Sequence, residues 1–472
     1  VLLGAIDLDR KRTPCIHARP SGIVLFQPFP TPPDSRAIAA AHLKAPDPMT
    51  IAPHDLGLRT PAASRWHGLR LGSVIACHGV VDFFSFLFVP LITVIEGHLA
   101  LTHEQGSLLI AVGSICSGLI QPTTAWICDR FNTRLPGVLG LFCAGLAALL
   151  VGQVETFGQL LLLQVIAASG VGAFHPVAAA ATGKLGGRRR SMALSGFYMA
   201  GMLGGMSGNV IFPVWVREMG QGDTGFGLRS LAWAMLLAVA FTIVLQLAIG
   251  KLDHRNARRA EGVPAPHIPH RWRSVWLLYA GNAIRFTVNA AMMLLVARWT
   301  ELEAVARAGT LDLNDALRAE ASVRNGPLQA AMQLGAGGAA MLAGAFIAHR
   351  HERAALLLCP LLGALAIALF PLTRGLETAM LSTLAAGLTC IVVGIGTGAL
   401  VPMTIGMAQR LLPDHTSLAS GLMLGGAWTI AAVGPPLTQV VVTHAGFGAA
   451  CLAIAGITAI SGVLTLWLRV PE

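Results

Sequence analysis

Two ionisable side chains stand where the chain offers no loop to absorb them. Asp82 lies about eleven residues into an apolar run at 71–95, and Arg285 about eleven into another at 274–297. At about 1.5 Å of rise per residue both reach a similar depth, near the middle of a bilayer. A charge at that depth costs about 2.5–3.5 kcal/mol on insertion scales, so it needs a partner or a wet cavity. No other Asp, Glu, Lys or Arg is expected deep in a span. Asp82 and Arg285 are therefore expected to face each other across a central cavity. Asp82 with His78 would exchange a coupling proton, and Arg285 would hold an anionic substrate group or the Asp82 carboxylate. A static ion pair holding two helix bundles together is the structural alternative.

Neighbouring polar residues repeat at helical spacing. His78 and Asp82 are four apart, and Asn282, Arg285 and Asn289 are three and four apart, so each set shares a helix face. Ser117 with Gln121, and Gln329 with Gln333, do the same, and His175 adds a titratable group. Asn282, Asn289, Gln121, His175 and Gln333 are accordingly expected to join Arg285 in lining a substrate path. Intramembrane Ser, Gln and His also serve as hydrogen-bonding glue between helices, the alternative for each.

The elements that must position these residues are membrane helices. Only 12% of the chain is charged against 54% hydrophobic, and mean hydropathy is +0.66. A soluble globular domain carries about 25% charged residues, so this surface cannot be water-covered. Apolar runs of about 20 residues, the length that crosses a bilayer, recur at 71–95, 105–127, 135–154, 158–183, 191–215, 230–250, 274–297, 326–347, 354–372, 378–405, 417–442 and 446–468. The fold expected is all-α, with about twelve transmembrane helices in two six-helix pseudo-symmetric halves. The 53 glycines suit close helix packing, and with only two tyrosines, tryptophan must supply the interfacial belt.

Four pieces of organisation follow. Residues 1–70, rich in proline, alanine and charge, read as a disordered cytoplasmic tail, with Met49 a natural alternative start. Residues 71–250 form the first half, 251–273 a basic cytoplasmic linker, and 274–472 the second half. Within the second half, 299–325 reads as a polar external segment, with 311–322 a short amphipathic helix on the surface. Pro176, Ser195-Gly196 and Gly201 recur as Pro402, Ser420-Gly421 and Gly426, an internal repeat relating spans four and five to ten and eleven.

Basic residues set the orientation. With the N-terminus inside, fifteen Lys and Arg fall in inner loops and seven in outer loops. The positive-inside rule then places both termini in the cytoplasm of an inner-membrane protein. The +10 net charge is explained by those loops rather than by nucleic-acid binding. None of the eight cysteines lies in an expected external loop, and neither a disulfide nor a metal site is expected. The glycine-rich runs at 201–208 and 425–434 lie inside apolar helices, and no GxxxxGK[ST] loop occurs, which argues against nucleotide binding.

Two motifs carry a resemblance. Ala125-Trp-Ile-Cys-Asp129-Arg130-Phe-Asn132-Thr-Arg134 resembles the Gly-x-x-x-Asp-Arg-x-Gly-x-Arg loop of the major facilitator superfamily, with Ala125 and Asn132 in place of glycines. In that family the loop latches the two halves on the cytoplasmic side, a role the resemblance gives to Asp129, Arg130 and Arg134. The second copy, around Gly344 and Arg350, lacks the aspartate, so one latch is expected to be weaker. His78-Gly-Val-Val-Asp82, Gln121-Pro122, Gly170-Val-Gly-Ala-Phe-His175-Pro176 and Ala408-Gln409-Arg410-Leu-Leu-Pro413 resemble the fosmidomycin-resistance branch. The likeness spreads over nearly all of 71–468. It implies proton-coupled export of small molecules through a cavity lined by spans one, four, seven and ten.

The function expected is a proton-driven secondary transporter, exporting small amphipathic or anionic molecules by alternating access. No cofactor beyond the proton gradient is required, and the chain is expected to work as a monomer among lipids. An importer of an organic or sugar acid is the alternative in the same class, and a non-transporting receptor the alternative outside it. No nucleophile–base pair or ligand cluster supports an enzyme.

Overall fold

A computed structural model describes residues 61–250, 252, 271–347, 349–412 and 416–468, and every regular element among them is helical. The first span folds as α1 (Pro61–Ser85) and α2 (Phe88–His98), followed by α3 (His103–Phe131), α4 (Leu135–Leu149), α5 (Phe157–Gly186) and α6 (Arg190–Gly220). Next come α7 (Thr224–Ser230), α8 (Met235–Ile249), α9 (Arg271–Ala308), α10 (Asp315–Phe346), α11 (Glu352–Leu369) and α12 (Ala379–Gly398). The chain continues through α13 (Val401–Leu411), α14 (Thr416–Gly421), a π turn at Leu422–Gly426, α15 (Ala427–Ala431), α16 (Gly434–Ala445) and α17 (Phe447–Val463). Nine helical segments among the described residues are long and apolar enough to cross a bilayer.

Local sequence explains where helices start. Thr102 and Thr156 each form a capping box with the glutamine three residues on, Gln105 and Gln159. Asp223, Asn314 and Thr378 cap α7, α10 and α12 by accepting from the N–H three residues later. Such caps satisfy N–H groups that the first helical turn leaves open, worth about 1 kcal/mol each. All five sit on the same side of the molecule, where the chain turns back into the bundle. Asn132 ends α3 at φ 49°, a left-handed conformation that asparagine tolerates better than other non-glycine residues. This is why it can replace the motif's glycine.

Apolar faces then assemble two sets of cores. One set is built from α1–α8, with Phe84, Leu91, Phe174 and Leu245 fully buried. The other is built from α9–α17, with Trp299, Phe370, Val393 and Met407 fully buried. Helices α6 and α10, α2 and α10, and α3 with α15 and α16 pack across between the sets. Large apolar side chains such as Leu236, Leu247 and Leu388 point outward, as a lipid-facing surface requires. Trp66, Trp126, Trp272, Trp276 and Trp467 are exposed together at the helix ends opposite the caps, where amphipathic indoles suit the headgroup level.

Three expectations are corrected. Residues 61–70, assigned to the tail, belong to α1; the rest of the tail, 1–60, lies outside the described residues, as does nearly all of the 251–273 linker. The 299–325 segment is not an external loop, because α9 runs on to Ala308 and α10 begins at Asp315. Nor is 311–322 a separate surface helix. Its second part is the first turns of α10, with Ala321 and Ser322 buried against the start of α2. Polar composition misled here because part of it, Glu301, Glu303 and Ser322, is buried within the protein, while Arg307, Asp312, Asp315 and Glu320 stay exposed at and between the helix ends.

Candidate functional site

Asp82 projects from α1 into a cluster with His78 one turn before it and His175 on α5. The carboxylate oxygens stand 3.4 Å from His78 Nε2 and 3.3 Å from His175 Nε2. The other nitrogen of each ring is held by a backbone carbonyl. His78 Nδ1 donates to Phe197 O at 2.6 Å, and His175 Nδ1 to Val171 O at 2.7 Å. A carbonyl can only accept, so both Nδ1 atoms must carry hydrogen. In the neutral tautomers both Nε2 atoms are then acceptors facing an acceptor carboxylate. The arrangement is satisfied only when at least one further proton sits among the three groups, on the carboxylate or on a ring. His78 is locked by stacking on Phe197 at 3.7 Å between centroids, and His175 meets it edge-on at 5.0 Å. On α6, Gly201 leaves no room for a Cβ, because the His78 ring and Asp82 carboxylate occupy that place.

Arg285 is not Asp82's partner. It is buried on α9, with one hydrogen bond from Nη2 to Asn282 Oδ1. Among the described residues its Nε and Nη1 have no partner and no salt bridge reaches it. Its side chain lies with Leu278, Leu356 and Leu464, within the second set of helices. The expected cross-cavity pair is thus corrected: depth along two helices matched, but the side chains point in different directions around them. Asn282 is also committed inside that set, donating to Met423 O in the π turn at 3.2 Å and accepting from Thr404 Oγ1 at 3.1 Å. Asn289 is half-buried with its Oδ1 unpartnered, and Gln121 is half-buried on α3. Gln333 accepts from Asn209 at 3.2 Å, joining α10 to α6.

Of the loop motif, Arg130 is exposed and Arg134 donates to Gln246 of α8 at 3.3 Å, inside its own set; the Asp129 side chain lies outside the described residues. Arg410 pairs with Glu352, likewise inside its set.

The strongest connection between the sets was missed by sequence reasoning. Arg298 of α9 is buried and binds Glu96 of α2 through both terminal nitrogens, at 2.6 and 2.9 Å. The same guanidinium donates to Glu301 at 2.8 Å and to Gln439 of α16 at 3.1 Å. Thr93 donates to Glu301 at 2.7 Å, and His103 Nδ1 contacts Glu96 at 2.8 Å. Nearby, Arg318 donates to Thr93 O, Ser322 to Pro90 O and Asn325 to Val89 O. These contacts lie at the capped end, where they tie α2 to α9 and α10. Glu96 and Arg298 were passed over because the spans were cut at 95 and 297, which leaves both just outside the apolar runs. The Arg298–Glu301 spacing of three, one helix face, was the available signal.

The Major Facilitator Superfamily model matches residues 74–391. A curated relative, the fosmidomycin resistance protein of Escherichia coli (strain K12), is 22% identical over 375 residues, covering 79% of this chain and 86% of that protein. Among solved structures, a POT family transporter in complex with 5-aminolevulinic acid superposes with a TM-score of 0.65 at 13% identity, covering 84% of this chain and 95% of that one. The nucleoside transporter NupG gives 0.63 at 12% identity, covering 85% and 99%. With that match, an all-helical membrane fold and polar clusters buried among its helices, the chain belongs to the Major Facilitator Superfamily and is a multi-pass membrane transporter rather than an enzyme.

Proposed function

We propose that this chain is a proton-coupled secondary transporter that exports small amphipathic or anionic molecules by alternating access. The single observation that carries the reading is the Asp82–His78–His175 cluster, whose three facing acceptors need a proton between them. A substrate donor group reaching the cluster can take that proton's place, which is the exchange an antiporter requires. Half-buried Gln121 and Asn289 are the polar groups proposed to meet the rest of the substrate.

The proposed architecture is twelve spans in two six-helix halves, 71–250 and 274–468, with both termini cytoplasmic. Four of the seven Arg residues first counted outside lie in α9 and α10, which sharpens the charge asymmetry supporting that orientation. The capped end is then the outer end, closed by Arg298–Glu96. Outward opening must break that bridge, and proton binding at Asp82 ties α1 to α5 during the change.

Reconstituted into vesicles, the chain is expected to move protons only when substrate is present. The relative's name makes fosmidomycin the first compound to try. Asp82→Asn should abolish that flux, and His175→Gln should cut it at least tenfold, with both variants folded in the membrane. Undiminished coupled flux in Asp82→Asn refutes the proton role.

A further inference from the structure

We infer that Asp82, His78 and His175 form a binding site for a divalent transition-metal ion of the zinc type. Two imidazoles and a carboxylate are a donor set that suits zinc, cobalt or nickel. His78 Nε2 stands 3.4 Å from one carboxylate oxygen, and His175 Nε2 3.3 Å from the other. Both separations exceed the usual N–H···O hydrogen bond, of about 2.7–3.2 Å. They match the spacing of two donors on one tetrahedral ion, since bonds of about 2.0–2.1 Å put neighbouring donors about 3.4 Å apart. The donor atoms of the three residues lie within 4.8 Å of one another, so one ion reaches all three with little movement. His175 is 93 positions from Asp82, which is why the sequence alone shows no such grouping.

The surrounding chain aims the donors. Each ring gives its Nδ1–H to a backbone carbonyl, Phe197 O and Val171 O. Such an outer contact holds a metal-binding imidazole with its Nε2 lone pair forward. Stacking on Phe197 fixes the plane of His78, and Gly201 brings α6 against the flank of the cluster. Asp82 and His175 keep 14% and 27% of their side chains exposed, so an ion has a way in and a place for water as a further ligand. Among the described residues no lysine or arginine pairs with Asp82, so no fixed cation competes. The other grouping of similar composition, Glu96, His103 and Glu301, is already bridged by the Arg298 guanidinium, whose charge repels a second cation. An ion at Asp82 needs no cavity beyond the space between its donors. It satisfies the facing lone pairs that otherwise require a proton. On the transport reading above, ion and coupling proton therefore exclude each other.

The test uses the full chain, purified in detergent without a polyhistidine tag and stripped of metal with a chelator. Zn2+, Co2+ and Mg2+ are offered separately, and binding is read by equilibrium dialysis, thermal unfolding and, for Co2+, visible absorption. Wild type should bind one Zn2+ or Co2+ per chain, unfold at a higher temperature with it, and give Co2+ the intense visible bands of a four- or five-coordinate site. Mg2+, which prefers oxygen ligands, should bind at least tenfold more weakly. His175→Gln and Asp82→Asn should each weaken Zn2+ binding at least tenfold. His103→Gln, which alters only the grouping around Arg298, should bind Zn2+ as wild type does. A further readout needs no variant, so a folding defect cannot obscure the result: Zn2+ should protect His175 from diethyl pyrocarbonate while half-exposed His103 is modified as before. No Zn2+ binding by wild type, equal binding by His175→Gln and Asp82→Asn, loss of binding in His103→Gln, Mg2+ binding as tightly as Zn2+, or an unprotected His175 overturns the inference. None of these readouts involves proton flux, so the inference and the transport reading fail separately.

Discussion

Glu96→Gln is the substitution that should release the sealed end. It keeps the side chain's shape and removes its charge. Both Arg298 terminal nitrogens reach Glu96, at 2.6 and 2.9 Å, and the two side chains are 3% and 1% exposed, so solvent screens little of the interaction. Removing one partner of a buried pair costs about 3–5 kcal/mol. The amide oxygen of glutamine still accepts one bond, worth about 1 kcal/mol, and Glu301 still faces Arg298. A loss of about 2–4 kcal/mol remains, nearly all of it from the state in which α2 meets α9. Each 1.4 kcal/mol is tenfold in an equilibrium constant, so the open fraction at this end should rise roughly 30- to 700-fold. Spin labels at Glu155→Cys and Leu311→Cys, in a background without native cysteines, read the separation across the sealed end. Wild type should give one short distance, and Glu96→Gln should add a longer population. Glu96→Gln with Arg298→Gln should couple non-additively, because the first change leaves a buried guanidinium short of its partner. An unchanged distance distribution, or additive effects, refutes the view that this bridge holds the two helix sets together.

Other substitutions probe narrower points. Gly201→Ala should displace the His78 ring and Asp82 carboxylate, since its new methyl group needs their space; overpacking costs about 1–3 kcal/mol, and coupled flux should fall at least tenfold while thermal unfolding shifts modestly. Asn132→Gly should be tolerated and Asn132→Ala should destabilise by about 1 kcal/mol, because φ is 49° there, read as the difference in unfolding midpoint. Thr102→Ala removes a capping box and should cost about 1 kcal/mol, with faster proteolysis of the chain just before α3 as the local readout.

How much of the site was legible depended on whether the relation was local. His78 and Asp82 share a helix face because they are four apart, and nothing beyond helical periodicity is needed to say so. The approach of His175, 93 positions away, could not be read, since it depends on how α5 packs against α1. Arg285 was rightly seen as a deep charge, yet its direction around the helix axis was not fixed by its depth along it. Glu96 and Arg298 were passed over because they flank apolar windows rather than interrupt them.

The sequence by itself determined the membrane class, the positions of most spans, the family and the presence of two charges within the apolar runs. Each follows from composition, run length or spacing within one helix. Tertiary structure alone decided that Asp82 meets two histidines, that Arg285 turns away from it, and that Arg298 bridges to Glu96 across 202 residues. The reason is geometric: a residue's helical position sets its height and face within one element, while its partners are set by which other helix that face packs against.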